Sequence, residues 1–188
     1  MRRQMNYKLL KKIFFLFALF IFLFSCADEE TTAPTEENLL LNTSFENNGN
    51  FSTVGWSLPG SSTSSNDVPP NGGNFSLKLQ SNAPPEEFAF ITVPVKTKYS
   101  INKLTFWAKS TGVTSNIPGK AVISLIRNKS EIKSRSILVD QITWQTFSIQ
   151  DTFNVVEGDS FMVKFSGGTN QLLPAQAYFD LVQLQGIK

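Results

Sequence analysis

The chain has 188 residues and 21.0 kDa, with 17 Lys and Arg against 15 Asp and Glu, 17 Phe, one Cys and no His. That length suits one domain with a substantial core, and 12% aromatic residues beside 17% charged ones exclude a disordered chain. The missing imidazole excludes Ser-His-Asp hydrolysis and histidine metal sites, and a single thiol excludes an intrachain disulfide framework and Cys-rich zinc sites. At the start of the chain, residues 1–12 hold Arg2, Arg3, Lys8, Lys11 and Lys12 without an acid and lead into an unbroken apolar run from Ile13 to Phe24. Such a run rises about 18 Å as a helix, short of the roughly 30 Å hydrocarbon core of a bilayer. Residues 1–25 are therefore predicted to be a signal peptide that does not remain as a spanning helix.

The run closes on Leu23-Phe24-Ser25-Cys26, which resembles the lipobox of bacterial lipoproteins: an aliphatic residue, then a small one just before the Cys that is acylated. Phe24 is bulkier than the residue usual between them. The resemblance implies lipidation of Cys26 and attachment to a membrane through acyl chains alone. Residues 26–37 contain five acids, one Pro and no large apolar side chain. They cannot bury enough surface to offset their ordering entropy and read as a flexible acidic tether. An acidic cluster directly after the lipidated Cys resembles the export signal of surface lipoproteins in Bacteroidetes, which implies an outer-membrane protein facing the cell exterior. Residues 26–188 carry 12 basic and 15 acidic side chains, so the basic excess belongs to the leader and no nucleic-acid partner is expected.

From Asn38 onward, apolar residues recur with period two between clusters of Gly, Pro, Asn and Ser, as half-buried strands require. Phe75, Leu77 and Leu79 alternate with Ser76, Lys78 and Gln80. Leu104, Phe106 and Ala108 alternate with Thr105, Trp107 and Lys109, and Phe161, Val163 and Phe165 with Met162 and Lys164. Strands are predicted over 39–46, 53–58, 75–81, 87–95, 101–109, 120–128, 131–139, 143–150, 159–165 and 177–185, with a hairpin at Asn128-Lys129-Ser130. Together they predict an all-β fold, a two-sheet antiparallel sandwich of jelly-roll type, in one domain over 38–188. The Ser-, Asn-, Pro- and Gly-rich segment from Pro59 to Asn74 reads as a mobile connection or a binding loop, and Gly72-Gly73 as a turn.

Several landmarks fall in the order of a known family. Asn38-Leu39-Leu40-Leu41-Asn42-Thr43-Ser44-Phe45-Glu46 resembles the opening strand of galactose-binding-like and family 4/9-type carbohydrate-binding modules, with Thr43 where Gly is usual. Gly55-Trp56, Gly73-Asn74-Phe75-Ser76-Leu77-Lys78-Leu79 and Thr143-Trp144 follow, and Tyr178-Phe179-Asp180-Leu181-Val182-Gln183-Leu184 resembles the closing aromatic-Asp-Asp-Val-x-Leu strand, with Leu181 in place of its second Asp. The resemblance implies a non-catalytic domain that binds a poly- or oligosaccharide. Sugar binding in water uses aromatic rings beneath the apolar faces of pyranoses. Trp107 is the leading platform by phase, whereas Trp56 and Trp144 read better as buried. Tyr99, Lys109, Asn116 and Arg127 complete the candidate ligand-binding set, with Phe51 and Tyr178 behind them.

Glu46 ends the first predicted strand and Asp180 begins the last, so neighbouring terminal strands would bring their carboxylates together. Carboxylates joined by backbone carbonyls suit Ca²⁺, and related modules often hold a structural calcium near these places. No acid lies in a motif tied to a mechanism, and no enzyme is expected. The competing reading is a structural or adhesion module that packs against a protein of the cell envelope.

Overall fold

The computed structural model describes residues 36–40, 42–59, 62–81, 87–95, 99, 101–111, 119–168 and 175–187. The described residues contain strands and no helix. In chain order the strands are β1 (Glu36–Asn38), β2 (Glu46–Asn47), β3 (Asn50–Phe51), β4 (Thr63–Ser65), β5 (Ser76–Ser81) and β6 (Phe88–Pro94), followed by β7 (Ile101–Thr111), β8 (Gly119–Arg127), β9 (Ser130–Val139), β10 (Gln145–Asp151), β11 (Ser160–Ser166) and β12 (Ala175–Ile187). The larger sheet runs β10-β7-β12-β5-β4, with β1 also on β12, and the smaller runs β6-β11-β8-β9. All pairings are antiparallel. The two sheets form a jelly-roll sandwich.

The alternation seen in the sequence decides which side of each strand enters the core. In β7, Leu104, Phe106 and Ala108 are buried while Lys103, Thr105, Trp107 and Lys109 take the other face. In β11, Phe161, Val163 and Phe165 are buried, with Met162 and Lys164 outward. Between the sheets Phe165 stacks on Phe179 with ring centroids 4.4 Å apart and planes 14° apart. Trp56 stacks on Phe165 at 5.4 Å and donates its indole N–H to Asn42 O at 3.2 Å, so it is a core residue, as its sequence setting indicated. Where β9 and β10 leave the sandwich open, Lys133 Nζ and Arg135 Nε reach Asp151 at 2.8 and 2.5 Å and tie the two sheet edges together.

Differences from the predicted strands lie near the N-terminus. Pairing starts at Glu36, inside the segment read as tether, opposite Ile187. Among the described residues of 39–46, residues 43–45 leave the strand conformation. The stretch follows β12 through isolated bonds, Leu39 N to Leu184 O at 2.8 Å and Val182 N to Thr43 O at 2.6 Å, and Phe45 adopts a φ of 52° that no strand contains. Glu46–Asn47 and Asn50–Phe51 form a small hairpin whose turn, Asn48-Gly49, has φ of 51° and 74°, the left-handed pair that an Asn-Gly two-residue turn supplies. Residues 53–58 contribute one bridge, Ser57 to Phe90. The predicted connection from Pro59 to Asn74 contains β4, which extends the large sheet through Thr63 opposite Lys78.

Candidate functional site

The outer face of the large sheet is built from the out-of-phase residues of β5, β7, β10 and β12, and register sorts them into rows. Asp180, Trp107 and Thr146 form one row; Lys78, Tyr178 and Lys109 form the next; Gln80, Gln176 and Thr111 form a third. Successive rows on one face are about 7 Å apart, because two residues of strand separate them. Trp107 is half-buried on this face, one row from Tyr178 and Lys109.

Around Lys109 the side chains interlock. Its ammonium lies 5.1 Å from the ring centre of Tyr178 and 5.4 Å from that of Trp144, and those two rings meet edge-on at 6.3 Å. Asp67, from the long segment between Pro59 and Asn74, pairs with the Lys109 ammonium and accepts the Trp144 indole N–H at 2.9 Å. Burial opposes ionisation of Asp67, but the bonds from Lys109 and Trp144 outweigh it and lower its carboxyl below the ordinary value. With half its side chain exposed, Asp67 keeps acceptor capacity toward solvent. Tyr178 donates its hydroxyl to Gln176 Oε1 at 2.6 Å, and the Gln176 amide donates to Gln80 Oε1 at 3.0 Å. Burial, and then the charge of Asp67, raises the Tyr178 phenol above its ordinary value, so it stays protonated as a donor. The face thus offers the half-buried indoles of Trp107 and Trp144, backed by the buried Tyr178 ring, among amides, hydroxyls and one held ion pair.

The sequence-selected ligand residues are placed unequally. Trp107 and Lys109 share this face. Lys109, however, has a side chain only 12% exposed and is committed to Asp67 and two rings, so it positions Trp144 and Tyr178. Trp144, expected to be buried, is instead half-buried on the outer face beside Tyr178. Tyr99 is 2% exposed with its ring against Gly186, where an added Cβ would come within 2.5 Å of it; that ring has no free face for a sugar. Phe51 is part of the small hairpin, packed edge-on to Phe75 at 6.4 Å. Asn116 and Cys26 lie outside the described residues.

Arg127 sits at the end of β8 in the other sheet, donating to Asp159 at 2.9 and 2.8 Å and to Asn154 O at 3.0 Å. It serves the fold and takes no place among the large sheet's outer residues. The Arg127 hydrogen bond, helped by the Val156 N–H, holds the Asp159 carboxyl at about 2, below the ordinary 3.8. Because the folded value is the lower one, the pair stabilises the domain above about pH 4 and that contribution is lost as pH falls toward about 2. Urea midpoints should therefore drop across this interval, and Asp159→Asn should flatten that drop while lowering the midpoint at pH 7. An equal acid slope in both proteins would contradict this assignment.

Glu46 and Asp180 meet at the turn read as Gly72-Gly73. Asp180 lies at a β-bulge of β12, where Leu181 has a φ of 48° and the register with β7 shifts, between the stretch paired to β5 and the stretch paired to β1. A Cβ on Gly72 would lie 2.5 Å from Asp180 Oδ2, and one on Gly73 would lie 2.6 Å from both carboxylate oxygens of Glu46. Glu46 Oε1 accepts the main-chain N–H groups of Asn74 and Phe75, the latter at 2.5 Å. Asp180 Oδ1 accepts the Leu181 N–H at 2.8 Å, while its fully buried Oδ2 has no hydrogen-bond partner. Burial, and then the negative charge of Glu46, pushes the Asp180 carboxyl up to about 7. An orphaned buried oxygen facing a second carboxylate across two glycines fits a hard cation held by oxygen donors. Among the described residues no group of three or more acidic, His or Cys side chains gathers, so any further donors would be main-chain oxygens or water.

No protein-family model and no curated protein sequence matches the chain. Solved structures do. The enzymatically active domain of bacteriophage CBA120 tailspike protein 4 is similar with a TM-score of 0.61 and 18% identity, over 80% of this chain and 21% of that one, so the present chain spans about one fifth of it. A family 16 carbohydrate-binding module gives 0.57 and 18%, over 78% of this chain and 99% of the module. The CBM22-1 xylan-binding domain of Paenibacillus barcinonensis Xyn10C gives 0.54 and 16%, over 83% and 98%. At these identities the likeness establishes the fold, the jelly-roll sandwich found in carbohydrate-binding modules.

Proposed function

We propose that the protein binds a poly- or oligosaccharide on the outer face of its large sheet, as a non-catalytic lipoprotein anchored through Cys26 in the outer membrane and facing outward. The observation that carries the reading is the cluster of Trp107, Trp144 and Tyr178 among the Gln80–Gln176 amides and Asp67. Aromatic rings remove the apolar face of a pyranose from water, and fixed amides and a carboxylate match its hydroxyls without the cost of ordering loose side chains. The sandwich shared with sugar-binding modules, including one described as xylan-binding, supports the same reading. Electrophoresis through gels containing neutral or acidic polysaccharides tests it. Retardation by at least one polysaccharide, weakened in Trp107→Ala, is expected; migration unchanged in every gel would favour the envelope-adhesion reading instead.

The carboxylates of Glu46 and Asp180 would hold a Ca²⁺ that locks the β12 bulge to the Gly72-Gly73 turn, a structural role next to the row that holds Trp107. A ligand present at about 100 times its Kd stabilises the folded state by about 2.7 kcal/mol, which for a domain of this size raises Tm by about 5–10 °C. That rise should follow added calcium, reverse with chelator and disappear in Asp180→Asn. A melt indifferent to calcium and chelator would contradict the metal role.

A further inference from the structure

The outer face of the small sheet differs in character from the amide-rich face of the large one. Its register sets Phe88, Ser166 and Lys120 in one row and Phe90, Lys164 and Val122 in the next. Phe88 and Phe90 are half-buried, with ring centroids 6.1 Å apart and planes 31° apart. The Lys164 ammonium lies 4.2 Å from the centre of the Phe88 ring. Among the described residues no carboxylate pairs with Lys120 or Lys164. Glu131, at the far end of the same sheet, is committed to the Ser124 and Ser134 hydroxyls. Residues 38–188 carry 12 basic and 10 acidic side chains, so the positive character belongs to this face and not to the domain at large.

We infer that this face is a second ligand site, for an acidic polysaccharide built of uronic acid units. Partially exposed phenyl rings beside ammonium groups that no described carboxylate pairs call for a ligand that is both apolar-faced and anionic. A second copy of the chain would set Lys120 and Lys164 against their own kind. An acidic peptide would answer the charge but offer no planar face to two neighbouring rings. A uronate answers both. Phe90 and Lys164 are directly opposed across β6 and β11, which places their Cβ atoms about 5 Å apart. A pyranose lying on Phe90 therefore has its carboxylate within reach of the Lys164 ammonium, which itself lies over the Phe88 ring, and Lys120 stands two strands from Phe88, about 10 Å away across Ser166, where it can meet the carboxylate of a further unit. The charge-assisted bonds give the selectivity for acid over neutral sugar.

Affinity electrophoresis of the full chain through polygalacturonate at low salt, beside neutral xylan, tests this site. Retardation by polygalacturonate is expected, weakening at high salt because exposed charges are then screened. Affinity should fall at least tenfold in Lys164→Gln and Phe90→Ala, return in Lys164→Arg, and be unchanged in Trp107→Ala. The Gln and Arg variants at 164 keep the comparison decisive even where Phe90→Ala fails to fold. Migration unaffected by polygalacturonate, retardation undiminished by Lys164→Gln, or retardation lost in Trp107→Ala would overturn the second site. Equal retention by polyglutamate, dextran sulfate or phosphatidylglycerol vesicles would overturn the uronate assignment.

Discussion

Alanine at position 107 is expected to leave the sandwich folded and to weaken a retained neutral glycan by about 30-fold or more. A well-packed aromatic at the centre of a binding surface is worth at least about 2 kcal/mol, and each 1.4 kcal/mol is a factor of ten in Kd. Trp107 faces outward from β7 with Asp180 and Thr146 as its row neighbours, on the side of the strand away from the core. Its removal should therefore cost stability no more than about 1 kcal/mol. Trp144→Ala is expected to lose binding to a similar extent for a compound reason. It removes one ring and also one of the two bonds that hold Asp67, the other being its pair with Lys109, and so loosens the segment beside the site. Titration of each variant with the retained polysaccharide, with thermal melts as a check on folding, measures this. Wild-type affinity in both variants would mean that the sugar does not touch this face.

The second large effect is on stability. Phe165→Ala should cost about 4 kcal/mol, within the range for deleting a large aromatic from a packed core. Phe165 is fully buried and joins both sheets: it stacks on Phe179 of β12 at 4.4 Å and on Trp56 at 5.4 Å, and meets Phe106 of β7 at 5.2 Å. No single rotamer change in those rings can refill the space, because each is itself held by a second ring. For a domain whose total stability is of the order of 5–15 kcal/mol, the loss lowers Tm by about 10 °C. Phe165→Leu, which keeps most of the volume, should lose less than half as much. Thermal or urea unfolding monitored at the tryptophans gives the comparison; a loss below about 1 kcal/mol for the alanine variant would contradict the placement of Phe165 at the centre of the sandwich.

What could be read before the structure follows the range of the interactions involved. Strands β5 to β12 are legible because alternation is a local property: a residue such as Trp107 or Lys164 differs from its neighbours in phase whatever the rest of the chain does. The hairpin at Asn48-Gly49 is missed although Asn-Gly is a strong short turn signal, because residues 39–46 read as one strand whose apolar content masks the break at Phe45. Asp67 carried no local sign. Its role comes from a segment with no periodicity folding back onto Lys109 and Trp144, positions 42 and 77 residues away. Trp144 was misjudged for the same reason. Its phase relative to Phe147 and Ile149 is outward, as the structure has it, but the ring that receives it, Tyr178, belongs to a distant strand. Phase also says nothing about where along a sheet a residue falls, so Arg127, at the end of β8, was grouped with residues of another sheet.

The bulge in β12 links the two ends of the chain to the proposed site. It turns Val182 and Leu184 back into the core after Asp180 has faced outward, and it opens the place where Glu46 and the Gly72-Gly73 turn approach. Gly72 and Gly73 are required there by space, since a side chain at either would collide with a carboxylate. The same turn precedes Phe75 and β5, whose Lys78 and Gln80 lie in the aromatic rows, so a cation held at the bulge would brace the surface that takes the sugar.

The three tryptophans make the central claim directly measurable, because each gives a separate indole N–H signal by NMR. On titration with a retained neutral oligosaccharide, the signals of Trp107 and Trp144 should shift together in proportion to saturation, while that of Trp56, bonded to Asn42 O in the core, should stay in place. Saturable binding that leaves Trp107 and Trp144 unmoved would contradict a sugar site on the outer face of the large sheet.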